Sequence, residues 1–195
     1  MSKKILIVQG HPDSGRPHFN HALAEAYADG ARAAGHSLRT VDVAALDFPL
    51  LRSKAEWDHG ALPAVLVPVQ QDIAWAEHLV FFFPLWLGGM PAVLKGLLEQ
   101  VARPGFALSP FREGSLPQKL LTGRSARLVV TMGMPALVYR WYFRAHSLKA
   151  LERNILGFVG IAPIGETLIG SVEGLDEAQR RGWLVKLAAL GRRAA

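Results

Sequence analysis

Phe81-Phe82-Phe83-Pro84-Leu85-Trp86-Leu87-Gly88-Gly89-Met90-Pro91-Ala92-Val93-Leu94-Lys95-Gly96 is the stretch that decides how this chain of 195 residues folds. The unbroken apolar run ending at Phe83 reads as a strand covered on both faces. Pro84 stops it, Gly88 and Gly89 free the backbone for a tight loop, and Pro91 suits the first turn of a helix, where its fixed φ and missing N–H do no harm. The loop therefore lies at the carboxyl end of a central strand. In an open α/β sheet ligands bind at that end, and Trp86 among small residues offers a flat apolar floor for a planar ring.

On both sides of this stretch, strand and helix patterns alternate. Residues 5–9 form a short apolar strand, followed by a polar loop over 10–18 and a helical stripe of Phe19, Leu23, Ala26, Tyr27 and Gly30 that ends at Gly35. Residues 38–43 read as the second strand, 64–76 as a helix and 78–83 as the third strand, while 47–60 has no clean period. The helix after Pro91 carries Leu94, Leu97, Leu98 and Val101 on one face. A proline- and glycine-rich excursion over 103–124 is too long for an ordinary connection and is a candidate functional loop. The fourth strand is expected over 127–131, then a loop from 132 to about 142. Leu148, Leu151, Ile155 and Phe158 mark a further helix, 167–172 the fifth strand, and Trp183, Leu184, Leu187 and Leu190 the last helix. Repeated βα units imply a parallel sheet in a three-layer sandwich with right-handed crossovers; the pattern alone leaves the strand order open.

The length suits a single domain over 1–195 with a full hydrophobic core. Half of the residues are hydrophobic and 19% are charged, which argues against disorder, and no apolar run is long enough to span a bilayer. The amino terminus enters the first strand without a signal-peptide pattern and the chain has no cysteine, so a cytoplasmic protein without thiolate chemistry or a Cys-based metal site is expected. A net charge of +6 and a pI near 10.0 favour phosphorylated ligands or an anionic membrane surface. The basic residues are dispersed apart from Arg180-Arg181 and Arg192-Arg193, and no nucleic-acid motif accompanies them, so nucleic acid is not an expected partner.

The first βα loop, 10–20, opens a helix whose free N–H groups and positive dipole end suit a phosphate, and Ser14, Arg16, His18 and Asn20 add donors. It is neither a GxGxxG fingerprint nor a GxxxxGK[ST] loop. A polar loop capped by Ser14 or Asn20 accounts for the same residues without a ligand.

Gly10-His11-Pro12 with Phe19-Asn20, the Phe83-Pro84-Leu85-Trp86 turn leading to Pro91-Ala92 and Leu94-Lys95-Gly96, and Thr131-Met132-Gly133 together resemble the NAD(P)H:quinone reductase family of flavodoxin-like flavoproteins. The similarity runs from Lys4 to roughly Arg181. It implies a flavodoxin-like three-layer sandwich whose five-stranded parallel sheet has the order 2-1-3-4-5, a homodimer, and FAD, or alternatively FMN, at the carboxyl edge. On the matching positions, His11, Phe19 and Asn20 would hold the flavin phosphate and ribityl chain. Pro84, Leu85, Trp86 and Leu87 would lie along the isoalloxazine, and Thr131 and Gly133 would face its polar edge. Glu99 and Arg180 fall near positions that contact the adenosine half of FAD. Tyr139 matches a tyrosine that hydrogen-bonds substrate or reduced flavin, and His146 lies one residue beyond its partner histidine. The chain departs from the family at Met134-Pro135 and at Trp86-Leu87-Gly88.

The implied activity is a ping-pong hydride relay from NAD(P)H through the flavin to a quinone or related electron-poor aromatic, with no metal. Trp86 and Phe106 would wall the slot, and Tyr139 and His146 would be the catalytic donors. Two other roles fit the same resemblance. One is a flavodoxin-like electron carrier, against which the basic charge and the 103–124 excursion argue. The other is an ancillary regulatory subunit of a membrane potassium efflux system, with peripheral membrane association.

Overall fold

Five strands build the sheet: β1 (Lys4–Gln9), β2 (Ser37–Asp42), β3 (His78–Pro84), β4 (Ser125–Thr131) and β5 (Ile164–Ile169). In the computed structural model, which describes residues 2–111 and 114–195, they pair in the order β2-β1-β3-β4-β5, every pair parallel. This is the order that the resemblance implied. The helices are α1 (Phe19–Ala33), α2 (Lys54–His59), α3 (Val67–Trp75), α4 (Ala92–Val101), α5 (Ala136–Trp141), α6 (His146–Lys149), a π-helical stretch Ala150–Leu156 that runs into α7 (Gly157–Val159), and α8 (Glu177–Arg193).

Alternation along each strand splits the core into two layers. Ile5, Ile7, Val80 and Phe82 face Leu23 and Tyr27 of α1 and Leu187 and Leu190 of α8. Leu6, Val8, Leu79, Phe81 and Phe83 face Val69 and Ile73 of α3, Leu94 and Leu97 of α4, and Leu148 and Leu151 beyond α5. β3 is apolar from Leu79 to Phe83 because both of its faces are covered there.

Four sequence expectations shift. β3 runs through Pro84, which fits as the last residue because the ladder is picked up by the next amide: the Leu85 N–H donates to Thr131 O at 2.7 Å. β5 starts three residues earlier than expected and ends before Val172; as an edge strand it is only partly buried, so its apolar pattern is weak. The segment 47–60, which has no clean period, contains α2, and the expected loop from 132 to about 142 contains α5. α2 buries none of its residues, which leaves no apolar period to read. α5 is a six-residue helix with one buried residue, Tyr139.

The two helices on the α1 face touch backbone to backbone. A Cβ at Gly191 would lie 2.0 Å from Tyr27 O, and one at Gly30 1.9 Å from Ala188 O. Gly191→Ala is therefore expected to cost about 1–3 kcal/mol or more through overpacking. Gly182→Ala, in the same helix with open space at its Cβ, should instead gain about 0.5–1 kcal/mol. Urea denaturation of the two variants measures the contrast.

His78 opens β3, fully buried, with Nδ1 2.8 Å from Ser125 Oγ and no partner for Nε2 among the described residues. Burial, followed by the positive charges of Lys3, Arg127 and His36, pushes its pKa down from 6.5 to about 4. The unfolded chain binds this proton near pH 6.5 and the folded chain only near 4, so stability falls as pH drops through that window. At pH 5 this amounts to about 2 kcal/mol. His78→Gln should flatten that part of the pH–stability profile.

Candidate functional site

All five strands run the same way, so the loops at their carboxyl ends meet along one edge. A cavity of about 500 Å³ opens there, lined by His11, Asp13, Arg16, His18, Phe19 and Asn20 from the first loop and the start of α1. Pro84 and Trp86 follow β3, Thr131 ends β4, and Val172 and Glu173 follow β5. Three loops that the sequence placed at strand ends converge on it, joined by a fourth.

The first loop is held by its own polar groups. Gly10 N–H donates to Phe82 O at 2.7 Å, tying the loop to β3, and the His11 N–H donates to Gln9 Oε1 at 3.2 Å. His11 and His18 stack with centroids 3.8 Å apart, and His21 lies 5.3 Å from His11. Burial holds the His11 imidazole below the usual histidine range, helped by His18 and His21. In the neutral form its Nδ1 accepts the Asp13 N–H at 3.1 Å. Burial and then His18 likewise lower His21. Asp13 lies below the usual carboxylate range because His18 Nε2 bonds its Oδ2 at 2.8 Å, with the Gly15 N–H on Oδ1.

Asn20 is buried and donates from Nδ2 to Thr131 Oγ1 at 3.3 Å, which bridges β4 to the start of α1, while Oδ1 has no partner among the described residues. A buried orphan acceptor on a cavity wall needs a donor from a ligand or water. The first N–H groups of α1 are also free of intrahelical partners by helix geometry. A phosphorylated, hydroxylated ligand meets both requirements, so the residues present fit the flavin that the resemblance implies.

The turn after β3 is tighter than its glycines alone would make it. Trp86 and Gly89 exchange both backbone hydrogen bonds at 2.9 Å, leaving Leu87 (φ 46°) and Gly88 (φ 80°) as a two-residue turn with both residues left-handed. Leu87, and not Gly89, shares the special backbone with Gly88. A leucine in that region costs on the order of 1–2 kcal/mol, and its side chain is fully exposed.

The other candidates named from the sequence are not gathered at the cavity. Ser14 is exposed on the loop and Leu85 is packed on the core behind the turn. Gly133 lies at the rim, where Glu173 stands 3.1 Å from the position a Cβ would take. Glu99 is ion-paired with Lys95 on α4 and lines a separate cavity with Trp57 and Phe158. Phe106 packs against the core and does not line the cleft. Tyr139 and His146 are not a hydrogen-bonded pair. The Tyr139 hydroxyl is within 2.7 Å of Ser147 Oγ and accepts the Leu148 N–H at 3.3 Å, whereas His146 is exposed. Ser147 in turn lies 3.9 Å from the Cβ position of Gly89, which places the tyrosine behind the turn.

Val172 and Glu173 carry no separate sequence signal, because the pattern over 167–172 reads as strand through Val172. A strand end three residues earlier would have exposed 170–174 as a carboxyl-end loop. Arg180 braces that loop by donating to Val172 O at 2.6 Å and to Leu175 O at 3.0 Å, and its guanidinium lies 5.1 Å from the centroid of Phe19.

The sequence profile of the flavodoxin-like fold family matches residues 3–189, and the chain belongs to that family. A protein of Haemophilus influenzae described as an uncharacterized NAD(P)H oxidoreductase is 27% identical over 188 residues, covering 94% of this chain and 91% of its own. The FMN-dependent NADH:quinone oxidoreductase of Shewanella amazonensis is 27% identical over 191 residues, covering 92% and 90%. Among solved structures, the NAD(P)H:quinone oxidoreductase of Methanothermobacter marburgensis superposes with a TM-score of 0.80 at 25% identity, covering 99% of this chain and 97% of that one.

Asn20→Ala and His11→Ala should each weaken flavin binding about tenfold or more, since hydrogen bonds to charged groups contribute roughly 1.5–3 kcal/mol. Glu99→Ala should leave the affinity unchanged. Fluorescence titration of the apoprotein with FMN and FAD separates the two outcomes.

Proposed function

We propose that this chain, acting as one flavin-binding unit over 1–195, is a flavin-dependent NAD(P)H oxidoreductase that reduces quinones or related electron-poor aromatics. The observation that carries the reading is the cavity at the carboxyl edge, where the orphaned Asn20 Oδ1 and the start of α1 face the Trp86 turn. The names of the relatives agree with it. They are oxidoreductases, so an electron carrier or an ancillary subunit of an efflux system is not the reading adopted.

Of the two flavins we assign FMN. A relative is named for FMN, and Glu99, matched to the adenosine half of FAD, lines another cavity. When bound, the flavin supplies two-electron hydride chemistry between a nicotinamide and a quinone. Asn20, His11 and the first N–H groups of α1 bind the phosphorylated tail. Trp86 and Pro84 provide the apolar wall that keeps water from the ring, and Thr131 and Gly133 orient its polar edge. Tyr139 and His146 are the proposed donors on the acceptor side. These two roles rest on the family resemblance, since neither side chain lines the cavity: His146 is exposed and the Tyr139 hydroxyl is bonded to Ser147 behind the turn. A homodimer in the cytoplasm is part of the proposal, by resemblance.

Purified protein should carry or take up one flavin, identified as FMN by mass after release, and anaerobic NAD(P)H should bleach it. A protein that binds neither FMN nor FAD would sink the reading. His146→Ala should slow quinone reduction by about tenfold to a thousandfold with flavin content intact, as expected for loss of a donor to developing charge. Stopped-flow traces of the two half-reactions give the measurement.

A further inference from the structure

Among the described residues, several large apolar side chains are exposed together at the end of α5, outside the cleft. Leu137, Trp141 and Tyr142 are 70%, 77% and 80% exposed, and Phe143 is 47% exposed. The backbone forces this display. Tyr139 and Ala145 are buried and joined by the Ala145 N–H to Tyr139 O bond at 3.1 Å, so the residues between them must loop outward. Arg144 and Ala145 both take left-handed backbone, φ 53° and 48°, to close that loop. Non-glycine residues in that region cost about 1–2 kcal/mol each. The stability is given up to hold three consecutive aromatics in solvent, where a monomer gains nothing from them.

Their surroundings are cationic. Arg140, Arg144, Lys149 and Trp141 line an open cavity of about 620 Å³ together with Glu166. Arg140 pairs with Glu166 at 2.9 Å, while Arg144 and Lys149 have no carboxylate partner among the described residues. The chain as a whole carries +6.

We propose that this face docks on an anionic lipid bilayer surface, with Leu137, Trp141, Tyr142 and Phe143 in the headgroup region and Arg144 and Lys149 against lipid phosphates. Aromatic rings with a polar edge favour the membrane–water interface, and basic side chains beside them add attraction to anionic lipid. A second copy of the chain suits the face less well, because two such faces would bring the unpaired Arg144 and Lys149 of each copy together. α5 follows the carboxyl end of β4, so docking holds the edge with the cleft near the leaflet, where apolar acceptors dissolve. The inference rests on the surface and goes beyond the redox reading, and a vesicle assay tests it without reference to activity.

Flavin-loaded protein is sedimented with vesicles of phosphatidylcholine alone and of phosphatidylcholine with phosphatidylglycerol at low salt. It should pellet with the mixed vesicles and be released by added salt. Each cation near an anionic surface contributes about 1 kcal/mol, or about fivefold in partition, so the double change Arg144→Gln with Lys149→Gln should lower partition about twenty- to thirtyfold. Trp141→Ala should lower it as well, with the flavin spectrum and circular dichroism unchanged in every variant. The proposal is overturned by equal recovery with both vesicle types or by unaltered partition in the glutamine variant. It is also overturned if Trp141→Ala halves the mass in sedimentation equilibrium, which would give the face to a second copy.

Discussion

Parallel pairing of β3 with β1 on one side and β4 on the other is the constraint from which the rest follows. Parallel neighbours cannot be joined by a short hairpin, so each connection has to cross the sheet and return. Those crossings place helices on both faces, and β3 is then sealed from water from Leu79 to Phe83. They also bring every carboxyl end to one edge. The Gly10 N–H to Phe82 O bond and the Leu85 N–H to Thr131 O bond, both 2.7 Å, extend the ladder just past the strand ends and fix how the loops leave the sheet. The candidate site is thus a result of strand direction before it is a result of any particular side chain.

Rigid packing below that edge lets the loops above it hold unfavourable conformations. The glycine contacts between α1 and α8 bring the two helix backbones together at the base, and α1 carries Asn20 and His21 at its upper end, beside His11 and His18 of the first loop. On the other face, Tyr139 pins α6 and, through Ser147, backs the Trp86–Gly89 turn. Leu87, Arg144 and Ala145 all take left-handed backbone within the two loops that flank this contact. Strain of this kind persists only where the surrounding structure over-determines it. Those three residues lie in the loops that present Trp86 and the 141–143 aromatics, and Ser171, in the loop after β5, and Ala194, just past α8, share the same backbone.

Charge is distributed differently over the two exposed features of this edge. In the cleft, the basic groups of the first loop are balanced locally, with Asp13 bonded to His18 and Arg16 3.5 Å from Asp13. A phosphate entering there competes with a carboxylate already in place. Around Trp141 the cations outnumber the single acid, Glu166, and two of them are uncompensated among the described residues. Uniform net charge would have suggested one diffuse basic surface, whereas the side-chain pairing separates a balanced site from an unbalanced one.

The sequence by itself determined the layer architecture and the location of the site. Period-2 and period-3.6 apolar patterns with proline and glycine at their ends are local, and they survive any tertiary arrangement that buries them. Residues 81–96 and the first loop were legible for that reason, 131–133 was legible only through the family resemblance, and His11, Phe19, Asn20, Pro84, Trp86 and Thr131 do meet around one cavity. What depended on non-local packing was decided only by the tertiary structure. The edge position of β5 hid where it ends, and with it Val172 and Glu173. α2 and α5 carry too little buried surface to have a period. Tyr139 pairs with Ser147 in place of His146 because helix α6 begins at His146 and turns its next residue toward the tyrosine. Glu99 shares a sequence stretch with the Trp86 turn yet lies at another cavity, because α4 carries it away from the edge where the strands end. A one-dimensional match fixes which residue types are present, and the direction of the element that carries each one fixes what that residue can reach.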